Sequence, residues 1–206
     1  MAHDRYGVDV VLRTIRDNSN EYWSFIIART DTGISKLEDL KGKKFAYGDP
    51  VSTSGAIYAK HLIRESGYDP DTFFTSAIYA GAHDRVVMAV YNKQVDAGAI
   101  YGGVGTDARE KAVAALPDVM SKTKVIAKSI SIPNDTVSVR KGLPREIVEK
   151  VTKGLIAVSK SEEGRKTIFD LYGIDGFEAA KDSDYDSVRE VAESENIQVE
   201  QLDKKK

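Results

Sequence analysis

The sequence predicts an α/β fold built on a parallel sheet. Short apolar runs of strand character alternate with helix-length amphipathic stretches, and glycine or proline stands where several of those helices must stop. The balance of 41% hydrophobic and 30% charged residues over 206 positions is that of a chain with a packed core, which excludes disorder, collagen and coiled coil.

The elements follow in chain order. Strand-like runs occupy Trp23–Ala28, Lys44–Tyr47, Phe74–Tyr79, Val95–Ile100, Val125–Lys128 and Thr136–Val139. Ser54–Ser66 reads as a helix that carries Ile57, Leu62 and Ile63 toward one side and stops at Gly67. His83–Asn92 carries Val86, Val87 and Val90 in the same way, and Asp107–Leu116 is expected to form a further helix ended by Pro117. From Leu143 onward no strand is expected. Pro144 can open a helix with Ile147, Val148, Val151, Leu155 and Val158 at helical spacing. A second helix follows Ser161 and is closed by Gly173, and a last one begins near Asp184 with Val188 and Val191 inward. The result is an α/β module of about residues 36–132, flanked by strands at Trp23–Arg29 and Thr136–Arg140 and by a helical C-terminal part.

Composition also narrows function. Thirty basic against 32 acidic residues give a net charge of −2, which argues against a nucleic-acid surface, and Lys204, Lys205 and Lys206 read as a solvated tail. Without cysteine there is no disulfide, thiolate metal site or cysteine nucleophile. No apolar run approaches the roughly 18 residues that a membrane helix needs. The opening residues lack an apolar core, so no signal peptide is expected in the sequence given.

The segment richest in chemistry is Tyr47-Gly48-Asp49-Pro50-Val51-Ser52-Thr53-Ser54-Gly55, where a strand runs into a turn and three hydroxyl residues meet a helix. The first amides of a helix lack internal acceptors and concentrate partial positive charge. With Ser52, Thr53, Ser54 and the Gly55 amide, that end becomes a set of neutral donors for a tetrahedral oxyanion. A plain helix cap is the competing reading. His83 and Asp84 open the next helix at the same carboxyl edge of the sheet, where ligands bind in parallel α/β folds, although either residue can simply cap its own helix. Asp135, ahead of the returning strand, can be aimed at that edge too, unless Asn134-Asp135 only shapes a turn. A carboxylate tolerates an anion only across a shared proton, so Asp135 would select a ligand that keeps a P–OH. His61 and His3 read as surface residues.

Gly103-Val104-Gly105-Thr106-Asp107-Ala108 fits a dinucleotide fingerprint by letter, but the stretch after it is a loop without the acidic strand tip that the fingerprint requires. There is no nucleophile elbow, no paired-histidine metal spacing and no P-loop lysine. The residues call for no catalytic group, metal or cofactor.

The motifs in order are Ile34–Lys43, Gly48-Asp49-Pro50 with Ser52-Thr53-Ser54-Gly55, Gly81 with His83, Asn92 with Val95-Asp96, Ile132-Pro133-Asn134-Asp135, and Asp182-Ser183-Asp184-Tyr185. Together they resemble the phosphonate/phosphite/phosphate-binding proteins of bacterial ABC importers over nearly the whole chain. The resemblance implies a periplasmic-binding-protein-like architecture of two α/β lobes joined by a two-strand hinge. Here residues 1–35 would supply part of the first lobe and a hinge strand, 36–132 a complete second lobe with the oxyanion site, and 133–206 the returning strand and first-lobe helices. It further implies ligand contacts at Ser52, Thr53, Ser54, Gly55, His83, Asp135 and Tyr22, a small oxyanion ligand, an ABC permease as partner, and a periplasmic or lipid-anchored location. Tyr22 is assigned by the resemblance alone.

Two departures from the pattern carry expectations. Members that hold aminoalkylphosphonates carry an acidic residue seven positions after the place of Asp96, and Gly103 stands there, which implies an amine-free ligand such as phosphite, methylphosphonate or phosphate. The sequence also starts where the family's first lobe is already well advanced. Uncovered apolar surface on the hinge strands and C-terminal helices is therefore expected, favouring self-association. Other readings are a ligand-sensing domain of a signalling receptor, an enzyme on a small oxyanion or nucleotide, and a non-binding remnant.

Overall fold

The computed structural model describes His3 and residues 6–197; the lysine tail at 204–206 and most of the opening residues lie outside the described residues. The described chain divides into two compact units. One combines the residues up to Tyr22 with Ile132–Glu190, the other Trp23–Ser131 with those from Val191.

The second unit holds a sheet in the order β4-β3-β5-β2-β6, formed by β2 (Glu21–Arg29), β3 (Lys44–Tyr47), β4 (Ser76–Tyr79), β5 (Ala97–Gly102) and β6 (Thr123–Lys128). β3 pairs in parallel with β4 and β5, so the segments after these three strands emerge on one edge. β2 lies antiparallel to β5 and β6. The alternation of side chains on β3 decides what each face covers. Phe45 and Tyr47 pack with Ala56, Ala59 and Ile63 on the side of α1 (Tyr58–Glu65). Ala46 packs with Val86, Val87 and Val90 of α2 (His83–Tyr91) on the other. The Asp96 carboxylate accepts the Lys44 amide at 2.8 Å, which ties the starts of β3 and β5 together.

The segment Asp107–Leu116 does not form the expected helix. It is a 3₁₀ turn at Ala108–Ala112, followed by the short α3 (Val119–Lys122). The Asp107 carboxylate caps the turn at the Arg109 amide and also accepts the Arg109 guanidinium at 2.7 and 2.9 Å. The same guanidinium donates to Thr123 O, so the pair, buried and bonded across to β6, fixes the segment before a full helix can develop. His61 is not a surface residue: its side chain is only 14% exposed and lies beside Ser194 and Glu195 at the end of α6 (Asp186–Ser194).

The first unit is built on an antiparallel sheet in the order β8-β1-β9, with β1 at Asp9–Ile15, β8 at Thr136–Val139 and β9 at Gly176–Ala179. β9 contradicts the expectation that strands cease after Leu143. The chain returns to this unit at Ser131–Ile132, ahead of β8, and β8 itself pairs with β1 inside it. The short β7 (Ile132–Pro133) pairs with Glu21 and Tyr22 at the start of β2. α4 (Arg145–Lys160) begins after Pro144 and packs on β9, β1 and α5 (Glu162–Tyr172). Gly173 closes α5 in the left-handed conformation at φ 62°. Apolar side chains are exposed on both helices, as expected for the C-terminal part: Ile147, Val151 and Val158 on α4, and Phe169, Leu171 and Tyr172 on α5.

Candidate oxyanion site

The candidate site grows from the C-terminal end of β3. Gly48 accepts the chain back through its amide, which donates to Gly55 O at 2.8 Å, and Asp49 folds the intervening turn by accepting the Val51 amide at 2.9 Å. Ser52 is the helix cap: extended at φ −68°, ψ 122°, it receives the Gly55 amide on its Oγ at 3.1 Å. The Gly55 amide, expected among the ligand donors, is therefore engaged by Ser52, while the Ser52 hydroxyl keeps its proton to donate.

The first turn of the helix is wider than an α-turn. Ser52 O accepts both the Ala56 and Ile57 amides at 3.1 Å, and Thr53 O accepts the Tyr58 amide, giving a π-turn over Thr53–Ile57. Such turns recur at functional sites. The hydroxyls of Thr53 and Ser54 make no hydrogen bond among the described residues, and Ser54 is 3% exposed.

His83 belongs to the same place. A Cβ on Gly55 would lie 2.9 Å from His83 Cε1 and 3.3 Å from Gly48 Cα, so the imidazole rests directly on the glycine backbone. The Tyr101 amide donates to His83 Nδ1 at 3.2 Å. A nitrogen that accepts carries no proton, which leaves Nε2–H as the donor of a neutral ring. Burial lowers the His83 pKa, the charge of Lys111 adds to that, and Asp84 opposes it. The Tyr101 ring meets the imidazole edge to face at 5.1 Å. Gly55, His83 and the three hydroxyls thus stand together at the edge where the segments after β3, β4 and β5 emerge.

The remaining expected residues lie in the other unit. Tyr22, half-buried, begins β2 and pairs with Ile132 of β7. Asp135 is exposed and sits in a turn held on several sides. Its own carbonyl accepts the Thr14 amide at 2.9 Å, while Asn134 donates to Ser19 O at 2.9 Å and receives the Tyr185 hydroxyl on its carbonyl at 2.7 Å. Burial raises the Tyr185 pKa to about 12, so that hydroxyl stays protonated as a donor. The Asp135 carboxylate pairs with Arg16 Nη2 at 3.1 Å, and Arg16 Nη1 caps α5 by donating to Tyr172 O and Gly173 O. No sequence signal connects residues 119 positions apart, so Arg16 was not foreseen.

The glycine-rich segment is no nucleotide loop. Gly103 donates to Thr106 O at 2.8 Å across a tight turn in which Gly105 has φ +81°, and a 3₁₀ turn follows in place of the helix that would face a pyrophosphate. Among the described residues no cluster of His, Cys, Asp and Glu could hold a metal ion, and no helix is long and apolar enough to cross a membrane.

Residues 1–185 match the family described as the periplasmic substrate-binding protein of phosphonate ABC transporters. The chain belongs to that family. It is 31% identical over 196 residues to the phosphonates-binding periplasmic protein of Escherichia coli K12, covering 93% of this chain and 56% of that protein. It is 31% identical over 192 residues to the phosphate-import protein PhnD of Mycolicibacterium smegmatis, covering 84% of this chain and 57% of that one. The solved binding component of a phosphonate ABC transporter from Pseudomonas aeruginosa superposes with a TM-score of 0.73 at 28% identity, over 92% of this chain and 63% of that one. The chain thus spans a little over half the length of these two curated members. Family members are transport components of the type II periplasmic-binding fold, and the mixed α/β architecture here agrees with that fold.

Proposed function

We propose that this chain is the solute-binding component of an ABC importer, acting outside the cytoplasm, which captures a small amine-free phosphorus oxyanion unchanged and delivers it to a membrane permease. One arrangement carries the reading: the hydroxyls of Ser52, Thr53 and Ser54 on a widened first turn, beside an imidazole that the Tyr101 amide keeps as an Nε2–H donor. These donors are neutral and fixed, and each bond to an anionic oxygen contributes about 1.5–3 kcal/mol. The helix end adds about 0.3–1 kcal/mol. The imidazole in this set already accepts the Tyr101 amide at Nδ1 and presents Nε2–H, so it turns no free lone pair toward a hydroxyl as a base, and the chemistry this arrangement favours is binding.

Relatives named for phosphonates and for phosphate support the ligand class. Gly103, which offers no carboxylate, supports a ligand without an ammonium. Tyr22 as a donor and Asp135 as the acceptor of a ligand P–OH complete the proposed contacts. The exposed apolar residues of α4 and α5 support self-association through that face.

The test is a thermal-shift panel of phosphate, phosphite, methylphosphonate and 2-aminoethylphosphonate, since a ligand that binds only the folded state raises the melting point by mass action. A shift with the amine-free ligands that Thr53→Ala abolishes is expected. A flat panel, or a shift that survives Thr53→Ala, would overturn the assignment.

A further inference from the structure

Lys111 is a cation that a chain of ring contacts joins to His83 of this site; Arg85, whose Nη1 lies 3.7 Å from where a Cβ on Gly81 would stand, is a second cation on the same edge. It lies on the 3₁₀ turn after β5, which packs against α2, the helix that His83 opens. Its Nζ stands 5.3 Å above the Tyr101 ring, and that ring meets His83 at 5.1 Å, so the ammonium is at most about 10 Å from the imidazole. Its charge is felt there, since it helps hold His83 neutral. No carboxylate lies within ion-pairing distance of Lys111 among the described residues, whereas Arg109, two positions earlier, is fully engaged by Asp107. The Gly103 turn on the same loop supplies no opposing acid.

We propose that Lys111 sets the charge preference of the oxyanion site, favouring a doubly ionised headgroup and disfavouring any ligand that carries an ammonium. This rests on the function proposed above. Neutral hydroxyls and an imidazole donor discriminate less by total charge than an ammonium does, and Lys111 adds that discrimination. The dianion of phosphate or of a phosphonate would gain more from Lys111 than the monoanion does.

At this separation one unit of ligand charge changes affinity by about threefold to tenfold, and less as salt rises. The experiment is calorimetry near pH 8 on the wild type, Lys111→Gln, Lys111→Glu and Lys111→Arg, with inorganic phosphate, methylphosphonate and 2-aminoethylphosphonate, each at low and high salt. The expected result is a loss of about threefold to tenfold for phosphate in Lys111→Gln with a shallower salt dependence, and near-wild-type values in Lys111→Arg. Lys111→Glu should narrow the gap between phosphate and 2-aminoethylphosphonate further. A wild type that binds phosphate, with Lys111→Gln matching it in affinity and salt dependence, overturns this inference alone. A wild type that binds none of the three overturns the proposed function and this inference with it.

Discussion

Replacing Gly55 with alanine tests the geometry of the site at its tightest point. The new Cβ would sit 2.9 Å from both His83 Cε1 and Ser52 Oγ and 3.3 Å from the Gly48 backbone. Helix propensity alone favours alanine by about 0.5–1 kcal/mol. Against that stand an overpacking cost of about 1–3 kcal/mol and the weakening of a cap bond of about 1 kcal/mol, so net destabilisation is expected. The Gly48 backbone cannot retreat, because its amide is bonded to Gly55 O, and the imidazole is the group that must swing. Swinging it breaks the Tyr101 amide bond that sets the tautomer and removes one charge-assisted bond of about 1.5–3 kcal/mol to the ligand, an affinity loss of about 10- to 150-fold. Calorimetry with phosphate measures the loss, and ¹⁵N spectra of the imidazole report whether Nδ1 still accepts. Affinity within twofold of the wild type together with an unchanged His83 spectrum would refute the reasoning.

Arg109→Ala leaves the Asp107 carboxylate buried without its partner and should destabilise the protein by about 3–5 kcal/mol in urea titrations; a loss under about 1 kcal/mol would show that the pair is dispensable. His83 has a folded pKa depressed below its ordinary 6.5, so the stability tied to its neutral form is complete above that value and is lost as pH falls through the folded pKa. As pH falls below about 6.5 the wild type should therefore lose stability more steeply than His83→Gln, and parallel curves would contradict the burial argument. Phe169→Ser combined with Leu171→Ser, at positions 54% and 67% exposed, should lower concentration-dependent association in sedimentation velocity, and an unaltered profile would remove that face from the account.

Much of this was legible in the sequence where a local signal and the tertiary outcome coincide. β3 and β8 fall on the predicted Lys44–Tyr47 and Thr136–Val139, and α5 ends at Gly173, because strand alternation and a left-handed cap are decided by neighbouring residues. β1 was overlooked although Leu12 and Thr14 alternate inward, and β9 is only Gly176–Ala179, too short to announce itself. The helix predicted from Asp107 failed because a buried ion pair two residues apart, anchored on Thr123, outweighs the alanine-rich propensity after it. At the candidate site the residue types were readable, but their chemistry was not. The π-turn, the capture of the Gly55 amide by Ser52 and the tautomer of His83 depend on contacts across the fold, and so does the pairing of Arg16 with Asp135.

The most direct measurement is a ¹H–¹⁵N titration of the protein with methylphosphonate and with phosphate, read at each backbone amide and at the His83 ring. The account predicts the largest changes at Thr53, Ser54 and His83 Nε2–H, with the hydroxyl protons slowed against exchange. Saturable changes centred on other residues, with these signals unmoved, would contradict it.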